Sequence, residues 1–219
     1  MTHPEGLTNT QEELSVQLFN IGAVKFGNFR LKLHDQNPEA PLSPVYLDLR
    51  LLRRFPEAKA AAVDVYQELV MPLRFDLLAD IPTAATPLVS SLSDRLGMGM
   101  VTPRTDAKTH GTGAKVDGLL DSDKGRVAVL IDDLITTSAS KQEAANVLVA
   151  QGLTVNDVVV LIDRKQGGRE QLAAEGYSLH SGLTMDKMLD LYVRRGMISQ
   201  TVFQDTNQRL ETLNKFLGL

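Results

Sequence analysis

Two uninterrupted apolar runs constrain the fold of this chain more than any other feature. They occupy residues 127–131 (VAVLI) and 158–162 (VVVLI), and a helical pattern follows each of them. Runs of this length are typical of strands that are buried on both faces, as in a parallel sheet with helices on both sides. The sequence therefore predicts an α/β fold in which right-handed crossovers connect parallel strands.

Weaker patterns extend this architecture towards the N-terminus. Residues 56–70 and 87–96 have helical spacing, and residues 77–79 and 100–102 have the pattern of short strands. Ligands in such sheets bind at the carboxyl ends of the strands. Residues 103–120 (PRTDAKTHGTGAKVDGLL) contain three glycines and little apolar periodicity. We therefore expect a long loop with a functional role there.

The first 50 residues predict a separate N-terminal part. Thr10 and Glu13 form a capping-box pattern, which predicts a helix over residues 11–21. Residues 26–31 and 45–49 alternate as strands do, and the polar, proline-rich segment between them predicts an exposed loop.

Composition narrows the class of protein. The 219 residues are 43% hydrophobic, which is sufficient for the core of one α/β domain. With 23 basic against 27 acidic residues the net charge is −4, so no overall positive field would attract nucleic acid or a membrane. The absence of cysteine excludes a disulfide framework and a thiolate nucleophile, and the N-terminal residues lack a signal-peptide pattern. We therefore expect a cytoplasmic protein whose partners are neither nucleic acid nor membrane.

The segment with the most chemical content is residues 127–141 (VAVLIDDLITTSASK). Asp132 and Asp133 follow the predicted strand, and small hydroxyl-bearing residues lead into a helix. Backbone N–H groups at a helix N-terminus bind phosphate, and adjacent carboxylates accept hydrogen bonds from the hydroxyls of a sugar. The segment alone is equally compatible with a purely structural role. In that case it would be a plain strand, a turn and a capped helix, with both carboxylates solvated.

This segment resembles the phosphoribosyl pyrophosphate (PRPP) signature of type I phosphoribosyltransferases. FGNFRLK and SPVYLDLR resemble the N-terminal motif of the orotate phosphoribosyltransferases, interrupted here by an insertion at about residues 33–42. MVTPRTDAKTHGTGAKVDG resembles the catalytic loop of that family, and VVLIDRKQGGREQLAAEGYSLHSGLTMDKMLD resembles its C-terminal half. The resemblance covers about residues 24–192. It implies a type I phosphoribosyltransferase fold, with a central parallel β-sheet flanked by helices and a small N-terminal hood subdomain.

The length of the chain predicts a single domain over residues 1–219, and the resemblance implies its parts. About residues 1–50 would form the N-terminal helix and the hood strands, and about residues 56–195 the α/β core, with the catalytic loop at residues 103–118. Residues 196–219 lie outside the resemblance, and their apolar spacing predicts a C-terminal helical extension.

The implied activity is a transfer of ribose-5-phosphate. This family moves that group from PRPP to orotate, giving orotidine 5′-monophosphate and pyrophosphate in pyrimidine (UMP) biosynthesis. Such chemistry depends on stabilising charge on the leaving pyrophosphate and the sugar. The implied cofactor is Mg²⁺, carried by PRPP and not bound directly by protein side chains. The implied assembly is a homodimer in which the catalytic loop is shared across the interface.

The roles of individual residues follow from the same resemblance. The PRPP-binding set is Asp132, Asp133, Thr136, Thr137, Ser138, Ala139 and Ser140. The catalytic set is Arg104, Lys108, His110 and Asp133, with Lys108 as the cation that acts on the leaving group. The orotate-binding set is Lys32, Thr136 and Arg164. The residues by themselves leave open a solvated Lys32 and a surface ion pair between Asp163 and Arg164.

Three residues depart from the family pattern where it meets phosphate. Asp80 stands where glycine is usual, and its charge would repel pyrophosphate unless the side chain is turned away or paired. Thr105 stands where lysine is usual, which removes a positive charge from the catalytic loop. Ser138 replaces a glycine, whose missing Cβ matters if φ is positive. The departures keep two alternatives open: a transferase for another base, and a non-catalytic nucleotide-binding relative.

Overall fold

The computed structural model describes residues 6–31, 33–104 and 115–219. These residues divide into two compact units, one of them Ala62–Gly182 and the other formed by the N-terminal residues through Ala61 together with Leu183–Leu219. The helices are α1 (Asn9–Asn20), α2 (Leu33–Gln36), α3 (Pro56–Val70), α4 (Thr86–Leu96), α5 (Ala139–Ala150), α6 (Gly168–Ala174), α7 (Met185–Arg194) and α8 (Gln200–Phe216). The strands are β1 (Val24–Phe29), β2 (Ser43–Leu47), β3 (Leu77–Asp80), β4 (Met100–Pro103), β5 (Val116–Asp117), β6 (Val127–Ile135), β7 (Thr154–Asp163) and β8 (Ser178–Thr184).

The described part of the chain contains one large, mostly parallel sheet. Its six strands follow the order β5–β4–β3–β6–β7–β8. β3 pairs in parallel with β4 and with β6, and β6 pairs in parallel with β7. β5 is antiparallel to β4 at one edge of the sheet. The predicted α/β class is therefore confirmed, with one antiparallel edge strand that the apolar pattern does not reveal.

Both apolar runs lie at the centre of this sheet. Residues 158–162 each have 0% of their surface exposed, as expected for a strand that is covered on both faces. β6 and β7 are nevertheless longer than the runs that predict them, because their pairing continues beyond the apolar residues. Asp132 lies opposite Val160, and Ile135 lies opposite Asp163. The two aspartates of the signature segment are thus part of β6 and do not follow it.

The other unit contains an antiparallel hairpin of β1 and β2. Each strand begins two residues before the predicted one. α1 also begins earlier, because its capping box is Thr8 with Gln11: the N–H of Gln11 donates to the Thr8 hydroxyl at 3.2 Å, and the N–H of Thr8 donates to Gln11 Oε1 at 3.0 Å. The predicted box of Thr10 and Glu13 is wrong, since the same motif occurs two residues upstream and satisfies the helix end there.

The C-terminal residues of this unit form α8. The Arg209 guanidinium on α8 donates to the carbonyl oxygen of Gly27 at 2.8 Å, which fixes the helix to the β1–β2 hairpin. On α7, the Tyr192 hydroxyl donates to the carbonyl oxygen of Ser15 at 2.9 Å. Among the residues described, no helix combines the length and the apolar character that crossing a membrane requires.

Candidate active site

The carboxyl ends of three adjacent parallel strands bring acidic side chains to one edge of the sheet. Asp80 ends β3 and lies opposite Ile131 of β6, and Asp163 ends β7 opposite Ile135. Asp132 and Asp133 lie between these positions, on β6. Because ligands bind at this edge in parallel α/β sheets, these residues define the candidate site.

Asp132 points inward and is held on both of its carboxylate oxygens. Its Oδ2 lies 2.6 Å from Lys141 Nζ, and its Oδ1 accepts the N–H of Asp133 at 2.8 Å. Lys141 lies in the first turn of α5 and also donates to the carbonyl oxygen of Leu134 at 2.7 Å. Asp132 and Lys141 are both buried, with 6% and 4% of their surfaces exposed. The first aspartate of the signature is therefore committed to a buried ion pair.

Asp133 is half-buried and accepts the N–H of Leu134 on its Oδ1 at 2.8 Å. The pKa of Asp133 is raised to about 7, first by burial and then by the charge of Asp132, while the charge of Lys141 acts in the opposite direction. On the α3 side, the buried Tyr66 hydroxyl donates to the backbone carbonyl of Asp132 at 2.9 Å. Burial also raises the pKa of Tyr66, so its hydroxyl remains neutral and acts as a donor.

Residues 136–140 comprise the turn between β6 and α5 and the first two residues of α5. We call this segment the phosphate turn, after the role predicted for it. Thr137, Ala139 and Ser140 are exposed, and Thr136 is half-buried. Ser138 has φ −80° and ψ −15°, which is ordinary right-handed backbone. The serine that replaces the usual glycine therefore introduces no strain from its Cβ.

Ser138 is turned away from solvent towards α6. Its backbone N–H and its hydroxyl donate to Gln171 Oε1 at 2.9 and 3.1 Å, and 3% of the residue is exposed. The predicted contact of Ser138 with PRPP stays a prediction, while the structure shows that the residue shapes the turn. Sequence reasoning missed Gln171, because nothing in the pattern of α6 connects it with a residue 33 positions upstream.

Gly168 allows α6 to approach this turn. A Cβ at Gly168 would lie 2.6 Å from Ile135 Cγ1 and 2.7 Å from the carbonyl oxygen of Thr136, closer than real Cβ contacts come. The preceding Gly167 has φ +84°, a conformation that favours glycine. The absence of a side chain at Gly168 thus allows α6 to lie against the end of β6.

Arg164 and Asp163 are both buried, with 6% and 2% exposed, so the alternative of a solvated surface pair is wrong. The backbone N–H of Arg164 donates to the carbonyl oxygen of Ile135 at 3.0 Å. Burial lowers the pKa of Arg164 to about 10, which leaves the guanidinium charged at neutral pH. Asp163 accepts the N–H of Lys165 at 2.7 Å and lies 3.5 Å from Arg169 Nε.

Asp80 has 0% of its surface exposed. The hydroxyls of Thr86, at the start of α4, and of Thr102, on β4, donate to its two carboxylate oxygens. The acidic side chain is thus both buried and hydrogen-bonded. Its carboxylate is therefore not presented at the surface, where its charge would repel pyrophosphate.

Arg104 directly follows β4, at the base of the predicted catalytic loop. Its Nε donates to Asp117 Oδ2 at 2.6 Å, and its backbone N–H donates to the carbonyl oxygen of Lys115 at 2.8 Å. Lys108, His110 and Thr105 lie outside the described residues, and so does Lys32. Their roles stay predictions, and the described part of the set consists of Arg104, Asp132, Asp133, Arg164 and the phosphate turn.

Known proteins share this sequence and architecture, although no family model matches the chain. The chain is 36% identical over 181 residues to the orotate phosphoribosyltransferase of Methanopyrus kandleri, covering 83% of this chain and 93% of that protein. It is 34% identical over 191 residues to the bifunctional enzyme PyrF/PyrE of Nostoc sp., covering 87% of this chain and 38% of that one. The structure of Leishmania donovani UMP synthase superposes with a TM-score of 0.77 at 30% identity, over 95% of this chain and 42% of that protein. The chain thus spans about two fifths of the length of these last two proteins.

Proposed function

Because this chain belongs to the orotate phosphoribosyltransferase family, with the type I phosphoribosyltransferase fold, we propose that it transfers ribose-5-phosphate from PRPP to orotate. The products would be orotidine 5′-monophosphate and pyrophosphate, in the synthesis of pyrimidine nucleotides. The observation that carries this proposal is the 36% sequence identity to the Methanopyrus kandleri protein, which covers 93% of that protein. The geometry of the sheet edge supports it.

In this proposal the 5′-phosphate of PRPP binds at the phosphate turn. The N-terminus of α5 has backbone N–H groups without an acceptor inside the helix and a favourable dipole. The exposed Thr137 and Ser140 add hydroxyl donors beside them. The half-buried carboxylate of Asp133 would accept hydrogen bonds from the ribose hydroxyls, at the end of the same strand.

Orotate carries a carboxylate, for which Arg164 is a suitable partner. Its guanidinium can donate to both oxygens of a planar carboxylate. Burial of Arg164 strengthens such an interaction, because less solvent screens the charge. The contributions of Thr136 and Lys32 to orotate binding are part of the same proposal.

We propose that Mg²⁺ enters the site on PRPP, as part of the substrate. Asp132 already faces the ammonium of Lys141, so a cation bound there directly would meet a like charge. The catalytic loop would close over pyrophosphate with Lys108 and His110, in a cytoplasmic homodimer that shares the loop between subunits. Arg104 would then exchange the carboxylate of Asp117 for pyrophosphate oxygens. Both members of that ion pair are partly exposed, so breaking it costs little free energy.

The proposal is tested by following the loss of orotate absorbance after mixing the purified protein with orotate, Mg²⁺ and PRPP. The reverse reaction is run from orotidine 5′-monophosphate and pyrophosphate. We expect turnover in both directions, and a loss of several orders of magnitude in the Lys108→Ala variant, because its charge acts on the leaving group. If the folded protein binds PRPP but is silent in both directions, a panel of other bases separates a different transferase from a non-catalytic relative.

A further inference from the structure

Lys141 is a buried lysine at a position where an apolar residue would pack. Its α5 neighbours on the sheet side, Ala144, Ala145 and Leu148, are buried and apolar. Replacing a buried ion pair by well-packed apolar residues is often neutral or stabilising. Stability of the fold alone therefore does not account for an ammonium group at this position.

The ammonium of Lys141 connects the two halves of the candidate site. It lies 2.6 Å from Asp132 Oδ2 on the side of the strand, and 3.3 Å from Ser140 Oγ on the side of the phosphate turn. A third contact, 2.7 Å to the carbonyl oxygen of Leu134, holds it between them. Ser140 itself is exposed. A ligand that engages its hydroxyl would therefore meet a group that is in direct contact with the buried charge.

Without this ammonium, the negative charge of the nearby carboxylates would not be balanced. Asp132 and Asp133 are adjacent acids, and the neighbouring group from α3 is the Tyr66 hydroxyl, which is uncharged. Lys141 is in contact with this acidic pair through Asp132. Its removal would leave a buried carboxylate uncompensated, directly beneath a turn that has to accept a phosphate.

We infer that Lys141 is a positioning residue for PRPP: its ammonium holds Asp132 inward and supplies the positive charge beneath the phosphate turn. The inference rests on the proposed function, because it assigns to the same site a residue that acts through Asp132 and Ser140. It distinguishes two roles for the paired aspartates. Asp132 orients the lysine, and Asp133 remains available to the sugar.

The test uses Lys141→Met, which keeps the length of the side chain and removes its charge, and Lys141→Gln as a second neutral variant. Lys124→Met is the matched control, because Lys124 belongs to the same unit and 69% of its side chain is exposed. Thermal melting identifies which variants are folded. Each folded variant is then titrated calorimetrically with ribose-5-phosphate and assayed for KM of PRPP, KM of orotate and the pH profile of kcat/KM.

We expect the neutral variants to weaken ribose-5-phosphate binding and to raise KM for PRPP by about tenfold or more, with KM for orotate nearly unchanged. We also expect the acidic limb of the pH profile of kcat/KM for PRPP to move to higher pH by about one unit. Lys141 lowers the pKa of Asp133, so that pKa rises when the ammonium is removed. Lys124→Met should match the wild type in all of these measurements.

If Lys141 has a purely structural role, the neutral variants will have a lower melting temperature but an unchanged pH profile of kcat/KM and an unchanged ratio of the two KM values. That result would overturn the inference. Ribose-5-phosphate binding separates this inference from the proposed function. If the wild type binds the sugar phosphate but does not turn over orotate, the proposed activity is wrong while Lys141 is still tested by binding. If the wild type is active and Lys141→Met keeps its affinity and profile, the inference alone is wrong.

Discussion

Gln171 accepts two hydrogen bonds from Ser138, one from the backbone N–H at 2.9 Å and one from the hydroxyl at 3.1 Å. A side chain of α6 thereby determines the conformation of the turn between β6 and α5. The two residues are 33 positions apart in sequence. The shape of the phosphate turn consequently depends on a neighbouring crossover and is not a local property of residues 136–140.

Removal of this acceptor should loosen the turn. In Gln171→Ala the buried N–H of Ser138 loses its partner, and we expect the free energy of unfolding to fall by about 1 kcal/mol. The affinity for PRPP should fall several-fold, because the turn is no longer held. Chemical denaturation and calorimetry measure the two effects. Glu175→Ala, at the exposed end of the same helix, is the control, and an equal loss in both variants would contradict the assigned role.

A second prediction concerns the close approach of α6 to β6. Gly168→Ala places a Cβ within 2.7 Å of Ile135 and of the Thr136 carbonyl, so the helix or the turn must shift. We expect a loss of about 1–3 kcal/mol in the free energy of unfolding. Gly99→Ala is a matched control, since its Cβ would lie 3.4 Å from a flexible Leu77 methyl group. A stable Gly168→Ala variant with unchanged PRPP affinity would show that this contact does not position the turn.

Asp80 should act as a structural acceptor for two threonines. Asp80→Ala leaves the Thr86 and Thr102 hydroxyls without their acceptor, and we expect a loss of about 1–3 kcal/mol in stability. Asp80→Asn retains an acceptor oxygen of similar shape and should lose less. Urea denaturation of the two variants makes the comparison. Equal stabilities of Asp80→Ala and wild type would indicate that the carboxylate is not needed to connect β3, β4 and α4.

The pH dependence of stability follows from Asp133. Its folded-state pKa is raised from an ordinary value of 3.8 to about 7, chiefly by burial, so the folded protein retains a proton that the unfolded chain has released. Stability from this group is therefore present at low pH and is lost as pH rises from about 4 to about 7. Asp133→Asn should remove that decline. Denaturation at several pH values, with the exposed Asp121→Asn as control, tests the sign, and a parallel decline in Asp133→Asn would refute it.

The candidate site could be predicted from sequence as far as its local pattern extends. Asp132, Asp133 and Thr136 are identified because acids and hydroxyls follow an apolar run, and this pattern lies within one strand and one turn. Lys141 is five positions beyond Thr136 and lies on a helix, where a lysine is usually solvated. Its burial could not be anticipated, because the side chain points to the strand only once α5 packs on the sheet.

The departures from the family pattern also separate what a local sequence pattern predicts from what only the packed structure decides. From sequence, Asp80 would repel pyrophosphate unless its side chain is turned away or paired, and Ser138 would be strained if its φ is positive. Both expectations depended on information that one-dimensional patterns lack, namely the partners of a carboxylate on two other elements and the φ angle of a turn. The structure shows Thr86 and Thr102 beside Asp80 and a φ of −80° at Ser138.

What the sequence by itself determined is the class of fold and the position of the site. The two central strands are continuous apolar runs, and hydrophobic burial acts on that pattern within each element. What only the tertiary structure decided is the set of long-range partners: Lys141 with Asp132, Gln171 with Ser138, and Gly168 against Ile135. These contacts join residues on different elements, and their geometry exists only after the crossover helices have packed on the sheet.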